Sequence, residues 1–369
     1  MRSFVVQLLF ILTICTAFGQ SRKIINIPDI PGFQTLKCDF HTHTIFSDGT
    51  VWPTVRVEEA WREGLDAISI TDHIEYRPHS KDIEADHNRA YQIAEPLARN
   101  LNLLLIKGAE ITRSMPPGHF NALFIKNANL LERENVMDAL REARDQGAFI
   151  IWNHPGWKAQ QPDTMLWWDD HTQILNNNMM HGIEVYNYNE SYPEALTWAI
   201  NRKLAPIAST DIHEPVNLAY DLVNGHRPMT LVFSRSRTEE GIREALFNRR
   251  TIAWFNNTLM GRPQLLEPFF FASVKVSHTP GILQNGEFRR IELVNTSEID
   301  FELELVQPGV GFDVTPAIEL KANKVTVIEI SGNSDEVAEM EQLDIYYKVK
   351  NMYTSASDNL VITLSIANK

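Results

Sequence analysis

Between residues 36 and 256, short and almost uninterrupted apolar runs alternate with stretches of helical periodicity. This alternation constrains the fold more than any other feature of the chain. The strand-like runs are 36–40, 67–71, 103–111, 120–125, 148–152, 182–186 and 206–210, with further strands expected at 229–233 and 251–255. Helical patterns lie near 53–64, 87–100, 133–146, 193–203 and 238–249. Strands without polar alternation are buried on both faces, which calls for a parallel sheet covered by helices. So many units in this length of chain fit a closed barrel better than an open sheet. Pro53 suits a first helical turn, and Gly64 and Gly147 close helical patterns.

Beyond about residue 264 the helical period stops. Short strands are expected at 269–276, 290–293, 301–306, 325–330, 343–349 and 359–366, a pattern typical of a small all-β, sandwich-like module. It holds one histidine, His278, and no carboxylates at ligand spacing, so no chemistry is assigned to it. A chain of 369 residues accommodates both units, a barrel over 21–264 and a β-domain over 265–369. Residues 1–20 have the form of a signal peptide: Arg2, an apolar run at 4–14 too short to span a membrane, and small residues at Ala17 and Gly19. The expected address is periplasmic or secreted, with no transmembrane anchor after cleavage. Cleavage would leave Cys38 as the single cysteine and exclude an intramolecular disulfide. A net charge of −13 argues against a stable nucleic-acid partner, and composition leaves the oligomeric state open.

Polar residues gather where the strands end. The first strand delivers His41 and His43 at i, i+2, a spacing that points both rings to one side. Asp48-Gly49 forms a turn that can return a carboxylate to them. The second strand finishes in Asp72-His73 and the third in Glu110. His119 introduces the fourth, His154 follows the fifth, and Asp211-Ile-His213 repeats the i, i+2 spacing. On a parallel barrel all C-terminal strand ends open onto one face. One such histidine would ordinarily be a hydrogen-bonded surface or core residue, and Asp72 or Asn153 a turn cap or orienting group. At successive strand ends, these imidazoles and carboxylates together make a metal site with borderline-hard ligands. They exceed what one ion needs, so two or three ions sharing a bridging carboxylate are expected. A long connection at 156–181 carries Trp157, Trp167, Trp168, His171 and His181, and is either functional or a packing insert.

The motifs His41-Thr-His43, Asp48-Gly49, Thr71-Asp-His73, Gly108-Ala-Glu110, His119, Asn153-His154-Pro155 and Asp211-Ile-His213 resemble the PHP (polymerase and histidinol phosphatase) superfamily over about residues 36–260. The resemblance implies an α/β fold, a distorted (β/α)7 TIM-like barrel, with up to three divalent ions. It would give the first ion His41, His43, Glu110 and Asp211. The second would share Glu110 and add His119 and His154, and the third would take Asp48, His73 and His213. The run from Thr71 to His79 and the export signal look most like a bacterial phosphodiesterase group. Mixed imidazole and carboxylate ligands suit Mn²⁺, Fe²⁺ or Zn²⁺.

The expected activity is metal-dependent hydrolysis of a small-molecule phosphoester, with a diester preferred over a monoester on family likeness. A water bridging two cations would lose a proton near neutral pH and attack phosphorus in line. Glu110, Asp211 and His213 would act through the ions, and Asp72 or His79 would protonate the leaving group. Arg77, Arg113 and Lys158 follow ligand-bearing strand ends and are candidates to hold the phosphoryl group; the bland alternative for each is a solvated loop cation. There is no G-x-S-x-G or P-loop pattern. A phosphomonoesterase of the same fold, a metallo-amidohydrolase and a non-catalytic metal-binding module remain alternatives. The amidohydrolase reading suffers because Glu110 stands where such enzymes often carry a carboxylated lysine.

Overall fold

The apolar runs become the staves of a barrel. In the computed structural model, which describes residues 21–83 and 86–369, the strands are β1 (Gln34–Asp39), β2 (Ala67–Ile70), β3 (Leu104–Ile111), β4 (Phe120–Leu123), β5 (Phe149–Trp152), β6 (Gly182–Asn187), the short β7 (Glu190–Ser191) and β8 (Ala205–Ser209). Between them lie helices α1 (Pro53–Arg62), α2 (Arg89–Asn100), α3 (Val136–Asp145), α4 (Asp169–Asn176) and α5 (Pro193–Asn201). The expected signal peptide lies outside the described residues. Among the described residues, no helix is long and apolar enough to cross a membrane.

Pairing runs β1–β2–β3 in parallel, then β3–β4–β5 antiparallel, then β5–β6–β8 in parallel. A parallel bridge from Thr42 to Ile212 closes the ring. The reversed β4 departs from the all-parallel expectation. Residues 112–119 contain no helix, and without a crossover element the chain can only turn back on itself. The reversal places His119, at the start of β4, on the rim where the other strands end. Phe40, Ile106, Leu123, Phe149, Ile151, Ile207 and Val232 belong to one buried cluster, so the barrel is packed rather than open.

Helix α6 (Val216–Ala219), strand β9 (Met229–Ser234), helix α7 (Glu239–Phe247), and strands β10 (Thr251–Phe255) and β11 (Thr258–Gly261) follow. β9 runs antiparallel to β1, and the Thr230 hydroxyl ties it to β8 by accepting from Ala208 N and donating to Ala208 O. Helix starts follow local chemistry. Pro53 occupies the first turn of α1 behind Trp52, Asn135 accepts from Met137 N at α3, and Thr238 accepts from Gly241 N at α7.

A helix replaces the strand expected at 269–276. Helix α8 (Pro263–Ser273) buries Leu266, Phe269, Phe270 and Ser273, a spacing that fits one helical face. Its consecutive phenylalanines have the composition of a strand, but Pro263 pre-sets the first helical turn and a helix-shaped groove accepts the face. Strand β12 (Val274–His278) then opens a two-sheet sandwich. β13 (Phe288–Asn295), β15 (Phe312–Val314) and β17 (Val325–Gly332) join β12 in one antiparallel sheet. β14 (Phe301–Leu305), β16 (Ala317–Leu320), β18 (Gln342–Tyr353) and β19 (Asn359–Ala367) form the other. Burial alternates along β17, β18 and β19, the signature of sheets packed on one face.

The two domains are joined by structure, not by a tether. β11 pairs in parallel with β18 at Leu259–Met352 and Met260–Tyr353. One buried cluster runs from Phe233 and Trp254 through Phe269 and Phe270 to Phe301, Leu343 and Ile362. Phe270 and Phe301 meet edge to face with ring centroids 5.1 Å apart. Phe270→Ala is expected to cost about 3–5 kcal/mol and to lower one calorimetric transition for the whole chain. Two separate transitions in the parent protein would refute a shared core.

Candidate metal centre

The ligand candidates are brought in at the ends of six strands, and local structure dictates their direction. His41 and His43 leave β1 on a segment bonded to the residues after β8, with Asp211 N donating to His41 O at 2.8 Å and His43 N to Ile212 O at 3.0 Å. The loop after His43 folds back tightly enough that a Cβ on Gly49 would lie 2.7 Å from the His43 carbonyl carbon. Only glycine allows this approach, and it returns Asp48 to the histidines. His154 (φ 28°) and Asp211 (φ 52°) have left-handed backbones, a sparsely populated state for such residues that aims their side chains inward.

The side chains converge on Glu110, which is fully buried. Its Oε2 lies 2.8 Å from His73 Nδ1, 3.3 Å from His41 Nε2 and 3.4 Å from His43 Nε2. Its Oε1 lies 3.0 Å from His119 Nδ1 and 3.6 Å from His154 Nε2. Asp211 Oδ1 lies 2.9 Å from His43 Nε2 and 3.1 Å from His41 Nε2, while Asp48 Oδ1 lies 3.2 Å from His213 Nε2 and 3.4 Å from His73 Nε2. Donor atoms sharing an ion through bonds of about 2.1 Å stand about 3.0–3.4 Å apart. Three buried polar atoms, His41 Nε2, Asp48 Oδ1 and Glu110 Oε2, have no hydrogen-bond partner. A buried lone pair left without a donor is costly unless a cation takes it. The residues fit divalent metal.

Three tight groups emerge, each with ligand atoms within 4.8 Å of one another: His41, His43 and Asp211; His73, Glu110 and His119; and His43, Asp48, His73 and His213. They overlap the implied division without matching it: His43 and His73 each belong to two groups, Glu110 groups with His73 and His119 alone, and His154 belongs to none. His73 approaches Glu110 and His119 as well as Asp48, whereas His154 stands at the edge, 3.8 Å from Asp211 Oδ2.

Burial and neighbouring charge keep Glu110 and His43 in the forms that ligate, whereas the adjacent carboxylates raise His41 and His73 against the effect of burial. Burial alone would raise the Glu110 carboxyl, but His73, His41 and His119 hold it well below the ordinary carboxylate range. Burial, with His213 and His73 alongside, pushes His43 down to about 3, leaving a neutral ring. The remaining ring nitrogens are oriented from behind. His41 Nδ1 donates to Glu184 Oε1 at 2.9 Å and His213 Nδ1 to the Asp211 carbonyl at 2.7 Å, while the His73 Nδ1 that faces Glu110 also lies 2.6 Å from Thr112 Oγ1. Asn153 Nδ2 donates to Glu110 Oε1 at 2.8 Å, while Glu184 also accepts from His154 N and Asn187 Nδ2. Arg56, buried in α1, clamps the ligand segments by donating to the carbonyls of His43, Ile212 and Glu214. Glu184 and Arg56 lie outside the sequence motifs. Both carried a signal: Glu184 is the one charge in the apolar run 182–186, and Arg56 sits beside Val57 and Ala60 on the apolar side of its helix.

Several sequence candidates lie elsewhere. Asp72 is not directed at the centre, because its oxygens accept from Thr44 N, Thr44 Oγ1 and Ser47 Oγ and brace the 44–47 loop. His79 is exposed and lines no part of the cavity over the centre. Arg113 pairs with Glu75 and donates to the Thr112 and Arg133 carbonyls, and Arg77 Nε faces the Phe46 carbonyl. Neither arginine lines the cavity. Lys158 is exposed and lines a neighbouring hollow with Glu190 and Tyr192.

The 156–181 connection divides in function. His171 stacks on Trp152 with centroids 3.7 Å apart and donates to Pro117 O, and Trp167 packs beside it, so this part is core. Trp157 instead lines the cavity, close to the His154 and His119 rings.

The chain is similar to other proteins in sequence and in fold. A domain family described as Ig-like matches residues 274–365. The solved structure of a two-domain protein from Bacteroides vulgatus, containing a predicted PHP-like metal-dependent phosphoesterase, is 44% identical, with a TM-score of 0.90 over 94% of this chain and 100% of that one. An uncharacterized protein of Methanocaldococcus jannaschii is 28% identical over 199 residues, 50% of this chain and 85% of the relative. The fold and site define a metal-dependent hydrolase of the PHP class joined to an Ig-like domain. The chain belongs to the PHP-like metal-dependent phosphoesterase family.

Two tests follow. Glu184→Gln should keep the fold and weaken metal binding about 10–100-fold, measured by calorimetric titration of metal-stripped protein; unchanged affinity would deny Glu184 its orienting role. Burial holds His171 down to about 4, below its unfolded value of about 6.5. Between these values the unfolded chain binds the extra proton, so stability is lost as pH falls from about 6.5 to about 4, by at most about 3 kcal/mol. The melting temperature of His171→Gln should therefore fall less over that window than that of the parent, and parallel curves would refute the assignment.

Proposed function

We propose that this chain is an exported phosphodiesterase, using two or three divalent ions, Mn²⁺, Fe²⁺ or Zn²⁺, to cleave a small-molecule phosphodiester. The observation that carries the reading is the split environment of Glu110. One oxygen faces His119 and His154 while the other faces His41, His43 and His73, as a carboxylate shared between ions requires. Bound ions would supply Lewis-acid neutralisation of phosphoryl oxygens and acidify a water. The first set would be held by His41, His43, Glu110 and Asp211, the second by Glu110, His119 and His154, and the third by Asp48, His73 and His213.

The protein's own groups do the rest. Glu184, Thr112 and Asn153 hold ring and carboxylate orientations, so little reorganisation is needed when charge develops. Trp157 and Tyr192 cover one side of the cavity and reduce access of bulk water.

Preference for a diester rests on the cavity's charge. Its lining includes Asp48, Glu190, Asp211 and Glu214 but no lysine or arginine among the described residues. A monoester dianion would bring a further charged oxygen into this surface without a cation of the protein to meet it. A diester brings one charge and a second substituent.

Initial rates of the mature protein, residues 21–369, with Mn²⁺ should be higher on bis(p-nitrophenyl) phosphate than on p-nitrophenyl phosphate, and chelation should abolish both. Faster cleavage of the monoester would overturn the diester preference. Glu110→Gln should reduce turnover to background with the fold kept, and an undiminished rate would remove Glu110 from the shared position.

A further inference from the structure

The cavity over the metal centre, about 420 Å³, has a second wall made of none of the ligand candidates. It consists of Trp157, Tyr188, Tyr192, Glu190 and Glu214, with Asn187 at its base. Its parts are fixed. β6 and β7 form a hairpin with registers Tyr186–Ser191 and Asn187–Glu190, and Tyr188 sits in its turn with φ 52°. Tyr188 N donates to Ser209 O, and Tyr220 Oη donates to Tyr188 O, so the turn is anchored on the barrel. Tyr188 stays 37% exposed and Trp157 41%, and both line the cavity.

Each carboxylate on this wall is paired with a phenol. Tyr188 Oη donates to Glu214 Oε1 at 3.0 Å, and Tyr192 Oη donates to Glu190 Oε2 at 2.8 Å. These bonds fix each carboxylate at the hydroxyl edge of its phenol. Tyr192 itself is packed over Gly156, where a Cβ would lie 2.7 Å from the ring. Behind Tyr192 and Glu190 lies the second hollow, where Lys158 is accompanied by Asp163 and Glu194. Aromatic rings combined with carboxylates, with no lysine or arginine lining the same cavity among the described residues, form a surface that attracts positive charge and repels negative charge.

We infer that this wall is a specificity subsite for a cationic alcohol group, an alkylammonium-bearing substituent of the phosphodiester. This rests on the phosphodiesterase reading and deepens it. The ammonium would sit against the Trp157 and Tyr188 faces, with Glu214 and Glu190 supplying the countercharge, while the phosphoryl group lies over the ligand cluster. Substrates with an additional phosphate or carboxylate on that substituent are disfavoured by the same carboxylates.

The test compares three p-nitrophenyl phosphodiesters with the same leaving group, whose other substituent is choline, its uncharged carbon isostere neohexyl alcohol, or glycerol. With Mn²⁺-loaded mature protein, kcat/KM for the choline ester should exceed that for the neohexyl ester by about tenfold, chiefly through KM. Glu214→Gln and Trp157→Ala should each draw that ratio toward one. A binding readout independent of turnover is calorimetric titration of the loaded protein with choline chloride and with neohexyl alcohol, where only choline should bind measurably. Equal or faster cleavage of the neohexyl or glyceryl ester overturns the cationic subsite and leaves the phosphodiesterase reading intact. Absence of turnover on all three esters, with cleavage of p-nitrophenyl phosphate retained, overturns both.

Discussion

The structure depends on one buried carboxylate. Glu110 is inaccessible to solvent and surrounded by five imidazoles, and no chain would place an ionised group there without strong compensation. The arrangement around it is directed to that compensation. The ring closes at Thr42–Ile212 so that the β1 and β8 ends meet over it, Gly49 lets the loop double back, and two ligands adopt left-handed backbones to point inward. Protons can satisfy only some of these crowded lone pairs at once, and His/Asp/Glu donors packed this closely suit divalent ions.

A second layer of buried charge supports the first. Arg56 binds three carbonyls of the ligand segments, and Arg227 joins Asp39 and Glu63 beneath them, with Thr210 Oγ1 donating to Asp39. These networks couple α1, β1 and the segment after β8 into one rigid unit, so ligand positions are set by the barrel and not by loop preference. The Ig-like domain contributes to this rigidity from the far side. Its β18 extends the sheet that begins with β1, β9, β10 and β11, and α8 seats its phenylalanines in the core common to both.

Much of the centre was legible because its chemistry is local. His41-x-His43 and Asp211-x-His213 show their geometry directly in a period of two, and Glu110 and His154 stand at the ends of apolar runs where nothing else explains a polar residue. What escaped was nonlocal. Arg113 follows a ligand strand just as a phosphate-binding arginine would, and only its contact with Glu75, far away in sequence, shows that it is committed elsewhere. Asp72 adjoins a ligand, yet strand alternation turns it to the opposite side, toward Thr44 and Ser47. Helix α8 was hidden by its own composition, because a phenylalanine run suits a strand as well as a helix until the receiving surface is known.

The sequence by itself determined the class of fold, the gathering of imidazoles and carboxylates at strand ends, and the change to an all-β module after the barrel. These follow from periodicity and spacing, which act over a few residues. Tertiary structure alone decided the reversal of β4, the orienting roles of Glu184 and Arg56, and the aromatic and acidic wall beside the centre. Each depends on which distant segments share a surface, and that is settled by packing of the whole barrel and not by any local stretch of chain.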